Sequence, residues 1–81
     1  MLTLYTQPGC MYSARVNEVI EELGLSVEEK NIADHAIAEE LLQRGGKLQT
    51  PYLVDDEFDV EMFESEKIID HLQEQYGTHT S

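Results

Sequence analysis

The chain contains a single cysteine, Cys10, and its thiol is the side chain best suited to nucleophilic chemistry. A Pro8-Gly9 turn precedes it, and a helical pattern begins directly after it at Met11. A thiol at the start of a helix faces unpaired backbone N–H groups, which favour the nucleophilic thiolate. A lone cysteine is more often an ordinary buried residue, but the strand-to-helix junction favours a reactive one. Ser13, one turn along, could donate a hydrogen bond to the sulfur or could simply be a first-turn helix residue.

Two spacings of apolar residues, alternation in strands and the helical i, i+3, i+4 pattern, indicate the elements that must position this thiol. The first half of the chain reads as a strand over residues 2–6, a helix from Met11 to Leu23 closed by Gly24, a loosely patterned strand over residues 25–32, and a helix capped by Asp34 and ended by Gly45-Gly46. The inner face of this second helix is predicted to carry Ile37, Ala38, Leu41 and Leu42. A helical crossover between the first two strands predicts that they are parallel.

The second half predicts a hairpin followed by a helix. The apolar run 52–54 and the alternation of Phe58, Val60 and Met62 indicate two strands joined by a tight acidic turn. The last helix begins at Glu64-Ser65 and is predicted to bury Ile68, Ile69, Leu72 and Tyr76. The order is β-α-β-α-β-β-α, so we expect one α/β domain over residues 1–77 and a polar tail over 78–81.

The charge balance restricts the partners. The 81 residues include 5 Lys and Arg against 17 Asp and Glu, a net charge of −12. Nucleic acid is excluded because phosphate contacts need basic residues, and an anionic membrane surface is disfavoured for the same reason. No apolar run suits a membrane span and the N-terminus does not resemble a signal peptide, so we expect a cytoplasmic protein. One cysteine cannot form an internal disulfide, which fits a reducing compartment.

Other polar groups are better explained by structure than by chemistry. The acidic run over 55–61 lacks the ligand spacing of a calcium loop, and a solvated hairpin turn and edge strand is the favoured interpretation. His35, His71 and His79 show no ligand spacing with Cys10, so no protein-only metal site is expected. Met11 and Met62 are predicted to serve packing.

Three segments, spaced in this order across nearly the whole chain, resemble a glutaredoxin: LYTQPGCMYSAR, KLQTPYLVD and MFESEKIIDHL. They are closest to the variants that are similar to the N-terminal domain of glutathione S-transferases. The resemblance implies a thioredoxin-like fold with a four-stranded mixed sheet. Where glutaredoxins usually have Cys-Pro-Tyr-Cys, this chain has Cys10-Met11-Tyr12-Ser13, so it resembles a monothiol member.

The resemblance also implies the site residues. It makes Cys10 the nucleophile and Tyr12 an aromatic wall beside bound glutathione. The family's cis-proline motif corresponds to Thr50-Pro51, where the residue before proline offers backbone groups to the glutathione cysteinyl part. The remaining implied contacts to glutathione are those of Glu64 and Ser65 with the γ-glutamyl carboxylate and those of Lys47 and Gln49 with the glycyl carboxylate.

Departures from the family pattern affect the thiol and the cations. Glutaredoxins commonly have Lys three residues before the cysteine, and this chain has Gln7, so one source of thiolate stabilisation is missing. The transferase-like members also lack that lysine. Arg15, Arg44 and Lys47 lie on segments that flank the predicted groove, where they either contact the ligand or are ordinary solvated charges.

The sequence therefore predicts a glutathione-dependent thiol–disulfide oxidoreductase that acts through Cys10 by a monothiol mechanism. Its expected partners are glutathione, the co-substrate, and glutathionylated proteins or small disulfides, handled by a monomer. The alternative is a homodimer that holds a [2Fe–2S] cluster with Cys10 and glutathione as ligands. A third interpretation is a redox-inert adaptor that keeps the fold.

Overall fold

The computed structural model describes residues 2–77. Seven elements follow one another, namely β1 (Leu2–Thr6), α1 (Met11–Leu23), β2 (Val27–Asn31), α2 (His35–Gly45), β3 (Tyr52–Asp55), β4 (Val60–Met62) and α3 (Ser65–Tyr76). The sheet order is β2-β1-β3-β4, with β1 and β2 parallel and the other neighbours antiparallel. The predicted fold class, a thioredoxin-like α/β domain with a four-stranded mixed sheet, is confirmed. The predicted tail over 78–81, with His79, lies outside the described residues.

The end of α1 and the start of α2 lie at the capping residues that the sequence predicts. At the end of α1 the Gly24 N–H donates to the Glu21 carbonyl and the Leu25 N–H to the Ile20 carbonyl, both at 3.1 Å. This pair of bonds is the Schellman arrangement, and Gly24 adopts the left-handed conformation that it requires, with φ of 66°. At the start of α2 the Asp34 carboxylate accepts a hydrogen bond from the Ala36 N–H at 2.9 Å, as its N-cap pattern predicts.

The apolar core is divided by the sheet into two parts. Alternate residues of β1 point to opposite faces, so Leu4 packs under α1 and α3 while Tyr5 packs under α2. The α1 and α3 face buries Leu2, Leu4, Val16, Val19, Ile20, Leu53, Ile68 and Leu72. The α2 face is smaller and buries Tyr5, Leu41, Tyr52 and Val54.

The prediction that Leu42 lies on the inner face of α2 is wrong, because 47% of this residue is exposed. Ile37 and Leu41, one turn apart, provide the contact with the sheet. Leu42 follows Leu41 directly, and one residue turns an α-helix by about 100°, which carries the side chain away from the sheet. A single helix on this face buries only a narrow stripe.

The hairpin also differs from its prediction. β4 contains only Val60–Met62, and Phe58 lies in the turn over residues 56–59 rather than in the strand. The Phe58 ring packs edge-on against His71 and Tyr76, with centroid separations of 5.8 and 5.9 Å. An aromatic side chain therefore covers the end of α3 instead of extending the alternation of the strand.

Asp55 was predicted to belong to a solvated acidic run, and this is wrong because the residue is completely buried. His71 Nε2 lies 2.7 Å from its carboxylate, the Tyr76 hydroxyl donates to it at 2.9 Å, and the Glu57 N–H donates at 3.1 Å. Burial raises the pKa of Asp55, but these hydrogen bonds together lower that pKa below its ordinary value. Asp55, His71 and Tyr76 form a polar cluster, here named the carboxylate end of β3.

Candidate functional site

Cys10 is the N-cap residue of α1, in an extended conformation, and its side chain is only partly buried. The turn before it is closed by a hydrogen bond from the Cys10 N–H to the Gln7 carbonyl at 3.1 Å. Its sulfur lies next to Thr50, the residue before the cis Thr50–Pro51 bond. The thiol points to the Thr50 carbonyl at 3.9 Å, and the Thr50 hydroxyl donates to the sulfur at 3.5 Å. We name this assembly the thiol end of β3.

The surroundings of Cys10 favour the thiolate. Burial is the largest influence and raises the pKa of the thiol, but hydrogen bonds lower that pKa below its ordinary value overall. The donors are the hydroxyls of Ser13 and Thr50 and the backbone N–H groups of Ser13 and Tyr12. The first turn of α1 therefore supplies the stabilisation that its position predicts, although Gln7 carries no charge. The hydroxyl of Thr50 was not foreseen, because only its backbone was assigned a role.

Ser13 is almost completely buried, with 3% of the residue exposed. Among residues 2–77 its hydroxyl has no hydrogen-bond partner at ordinary distance, yet it contributes to the lowered pKa of Cys10. Donation from this hydroxyl therefore favours the thiolate form of Cys10.

A groove of about 250 Å³ runs from the thiol end across the N-terminus of α3. It brings together six of the residues predicted to contact a ligand, namely Tyr12, Gln49, Thr50, Pro51, Glu64 and Ser65. Phe63 and Glu66 also line it and were missed by the sequence analysis. Their positions on either side of Glu64-Ser65 in the segment MFESE are the signal that could have found them.

The start of α3 offers backbone donors to the groove. Glu64 is the N-cap residue, but its side chain makes no capping hydrogen bond. The first N–H groups of the helix are therefore left without a side-chain acceptor, and the helix dipole adds partial positive charge at the same point. The hydroxyl of Ser65 lies at the same helix start. This arrangement suits a carboxylate.

The predicted cations lie around the groove rather than in its lining. The Lys47 ammonium is 4.7 Å from the centre of the Phe63 ring, so it rests against a wall residue. The Arg44 side chain pairs with Glu61 at 3.5 Å, and Arg15 is an exposed residue of α1. Within the described part of the chain, no lysine or arginine lines the groove.

The position of Phe63 in the groove wall depends on its packing against β3 and α2. Phe63 packs against Tyr52 with ring centroids 4.3 Å apart. Gly45, in the last turn of α2, lies so close that a Cβ there would be 2.6 Å from the Phe63 ring. A glycine is therefore required at this position if Phe63 is to keep its place.

Residues 2–77 also lack two other kinds of feature. No group of three or more His, Cys, Asp or Glu side chains in this part of the chain could hold a metal ion. None of its helices has the length and apolar character needed to cross a membrane.

The fold and the thiol site define the class: a thioredoxin-like domain with a thiol at the start of α1, beside a cis-proline. The sequence model of the family described as "Glutathione S-transferase, N-terminal domain" matches residues 4–80. The chain belongs to this family. The resemblance to transferase N-terminal domains is thus confirmed, whereas the narrower resemblance to glutaredoxins stays a prediction.

Individual relatives agree with this assignment. The stringent starvation protein A homolog of Coxiella burnetii is 33% identical over 76 residues, which are 94% of this chain and 35% of the relative. A glutathione transferase from Phanerochaete chrysosporium, solved with oxidised glutathione, is 26% identical with a TM-score of 0.79, over 99% of this chain and 38% of that one. A solved thioredoxin-like protein is 27% identical with a TM-score of 0.78, over 91% of this chain and 97% of that one. The chain thus spans about a third of the first two relatives and nearly all of the third.

Proposed function

We propose that the protein is a glutathione-dependent thiol–disulfide oxidoreductase that acts on glutathione mixed disulfides through Cys10. The observation that carries the proposal is the position of the Cys10 sulfur. It lies between the N-terminal amides of α1 and Thr50, and Thr50 also lines the groove. A thiol with a lowered pKa therefore stands at one end of a site that can hold a peptide-like ligand.

The groove residues fit glutathione. The start of α3, with the Ser65 hydroxyl, suits the γ-glutamyl carboxylate. Glu64 and Glu66 line the same region and suit the ammonium group that neighbours this carboxylate in glutathione. Pro51 and Phe63 provide apolar walls, and the family match and the neighbour solved with oxidised glutathione support the same ligand.

The chemistry follows a monothiol route. The Cys10 thiolate attacks the glutathione sulfur of a mixed disulfide between glutathione and a substrate thiol. A disulfide forms between Cys10 and glutathione, the original S–S bond breaks, and the substrate leaves as a thiolate that takes up a proton from water. A second glutathione thiolate then attacks the glutathionyl sulfur, which releases oxidised glutathione and restores the Cys10 thiolate.

In the proposed route the residues around the thiol have distinct parts. The hydroxyls of Thr50 and Ser13 and the first amides of α1 stabilise Cys10 as an attacking and as a leaving thiolate. Tyr12, 64% exposed, forms the rim between the thiol and the groove. A monomer contains every group that the two steps need, and the expected substrates are glutathionylated proteins or small disulfides.

The proposal is tested with one protein and two assays. Turnover of a glutathione–2-mercaptoethanol mixed disulfide, coupled to glutathione reductase, should be lost in Cys10→Ser. Conjugation of glutathione to 1-chloro-2,4-dinitrobenzene measures transferase chemistry, which needs no covalent Cys10 intermediate. Conjugation without disulfide turnover would overturn the oxidoreductase proposal in favour of a transferase. We do not propose the [2Fe–2S] alternative, because no contact among the described residues favours cluster binding over thiol exchange.

A further inference from the structure

A second cavity adjoins Cys10 on the side opposite the glutathione groove. Its volume is about 240 Å³, and α1, β2 and the loop after β1 form its walls. The sheet order places β1 between β2 and β3, so this cavity lies on the β2 side of Cys10 while the groove lies on the β3 side. The two share no lining residue. The mechanism proposed above does not use this cavity.

The cavity wall is mixed, with Pro8 and Ala14 among its apolar residues, and it carries one carboxylate, that of the exposed residue Glu29. The Oε2 atom of Glu29 accepts hydrogen bonds from the Thr6 hydroxyl at 3.1 Å and from the Asn17 amide at 3.3 Å. Those two neutral donors hold the carboxylate at the cavity without neutralising its charge. Within residues 2–77, no lysine or arginine pairs with Glu29, and none lines the cavity.

Two more polar residues belong to the cavity wall. Ser13 is one of them, although its hydroxyl oxygen is buried and acts on Cys10 rather than on the open space. The side chain of Asn31 also lines it and accepts a hydrogen bond from the Ala33 N–H at 2.8 Å. The polar part of this wall contains amides, the Thr6 hydroxyl and the Glu29 carboxylate, with no positive group, and it suits a cation that can donate several hydrogen bonds.

We propose that this cavity receives the guanidinium or ammonium group of a basic residue that neighbours the glutathionylated cysteine of a protein substrate. This inference rests on the proposed function, because it assigns the substrate class of the same thiol. The net charge of −12 acts in the same direction by attracting basic partners over a longer range. Glu29 is the residue that converts this general attraction into a local preference.

The geometry of thiol exchange explains why a polypeptide suits the cavity better than a small thiol. In the attack, the leaving sulfur lies on the far side of the glutathione sulfur from Cys10. A small leaving group therefore points away from the cavity. A protein substrate covers both sides of Cys10, so a side chain near its modified cysteine can reach the β2 side.

The test compares two short glutathionylated peptides that differ only in Arg or Gln two residues from the cysteine. We expect the wild-type protein to prefer the Arg peptide by up to about fivefold in kcat/KM, the upper limit for an exposed ion pair. Glu29→Gln keeps a hydrogen-bond acceptor for Thr6 and Asn17 but removes the charge, and should abolish the preference.

Glu28→Gln is the matched control. Glu28 is the neighbouring residue of β2 and is exposed, and successive strand residues point to opposite faces. It therefore removes the same net charge from the other face of the sheet, and the Arg preference should persist. A cysteamine–glutathione mixed disulfide provides the small-molecule arm, for which we expect no dependence on Glu29. Equal loss of preference in both variants would overturn the local site and leave only long-range attraction.

A binding measurement separates this inference from the proposed function. N-acetyl-arginine amide, which contains no sulfur, should shift the Asn17 side-chain amide in the NMR spectrum of the wild-type protein but not of Glu29→Gln. If the mixed disulfides are not turned over, the oxidoreductase proposal fails while this titration still decides the cavity. Unchanged Asn17 signals up to about 100 mM ligand, at constant ionic strength, would overturn the inference, because an exposed ion pair is weak.

Discussion

The two ends of β3 each hold an acidic group whose pKa is lowered by hydrogen bonds, but the two groups differ in their exposure. At the thiol end, Cys10 is partly exposed and receives donors from a helix start and from Thr50. At the carboxylate end, Asp55 is fully buried and is surrounded by His71, Tyr76 and the Glu57 N–H. The Cys10 thiol is partly exposed, whereas the Asp55 carboxylate contacts only its own hydrogen-bond partners.

The reactive group and the buried stabilising group thus lie at opposite ends of the same two elements, β3 and α3. α3 begins beside the groove at Ser65 and ends beside Asp55 at Tyr76. A buried and fully hydrogen-bonded carboxylate fixes the far end of this pair, since breaking it would leave polar groups unpaired in the core. We expect the rigid end to hold α3 in the register that keeps its N-terminus at the groove.

The largest expected effect is on activity, from Cys10→Ser. A serine hydroxyl is not ionised at neutral pH and does not exchange with disulfides, so glutathione-coupled turnover should fall by about a thousandfold or more. Because the thiol makes only long contacts with Thr50, the midpoint of thermal unfolding should stay close to that of the wild-type protein. Retained turnover would show that the chemistry does not pass through Cys10.

The second effect is on stability, from Asp55→Ala. The substitution leaves the His71 ring and the Tyr76 hydroxyl without their acceptor, and we expect the free energy of unfolding to fall by about 3 kcal/mol. Urea denaturation measures the change. Asp56→Ala, at the exposed next residue, is the control and should cost no more than about 0.5 kcal/mol. Similar losses in both variants would contradict the importance of the buried cluster.

The third effect is the pH dependence of that stability. Because the folded-state pKa of Asp55 is lowered, the unfolded state binds more protons, and stability rises with pH. The contribution of Asp55 is fully present above its unfolded pKa of about 3.9 and is lost as the pH falls through the folded pKa. The stability difference between wild type and Asp55→Asn should therefore shrink from pH 6 to pH 3 in urea titrations. A constant difference would mean that the charge of Asp55 contributes nothing.

The smallest effect tests the donors at the thiol end. Thr50→Val removes the hydroxyl that donates to the Cys10 sulfur, so the pKa of the thiol should rise. The midpoint of iodoacetamide alkylation against pH should be below the free-cysteine value of about 8.5 in the wild-type protein and higher in the variant. Thr50→Ser retains the hydroxyl and should behave like the wild type. Identical profiles for Val and Ser would assign the lowered pKa to α1 and Ser13 alone.

Local patterns in the sequence predicted most of the fold, whereas the resemblance to a known family predicted most of the groove lining. Gly24 and Asp34 mark helix ends through hydrogen bonds within a few residues, which sequence spacing reports directly. The groove residues were found through motif resemblance, since Thr50 and Glu64 are brought together only by the packing of β3 against α3. Their local sequence alone contains no sign of that approach.

The missed features all depend on long-range contacts. Asp55 and Phe58 looked solvated and strand-like because nothing near them in sequence indicates that α3 returns beside β3 and places His71 there. The contact of Lys47 with Phe63, a residue 16 positions later, is also long-range, while the predicted contact of Lys47 with a ligand carboxylate stays a prediction. A pattern of residue types predicts which face of a helix or strand is buried and where the element ends. Which residue it contacts across that face depends on tertiary packing.

The close approach of Gly45 to Phe63 has a consequence for sequence variation and for engineering. A methyl group added at residue 45 has to displace the far end of the Phe63 ring, because the two would be only 2.6 Å apart. Phe63 is a wall of the groove, so the displacement changes the space open to a ligand. A library restricted to residues that touch the ligand would miss this position. Homologues that differ only here can diverge in ligand preference while every contact residue stays the same.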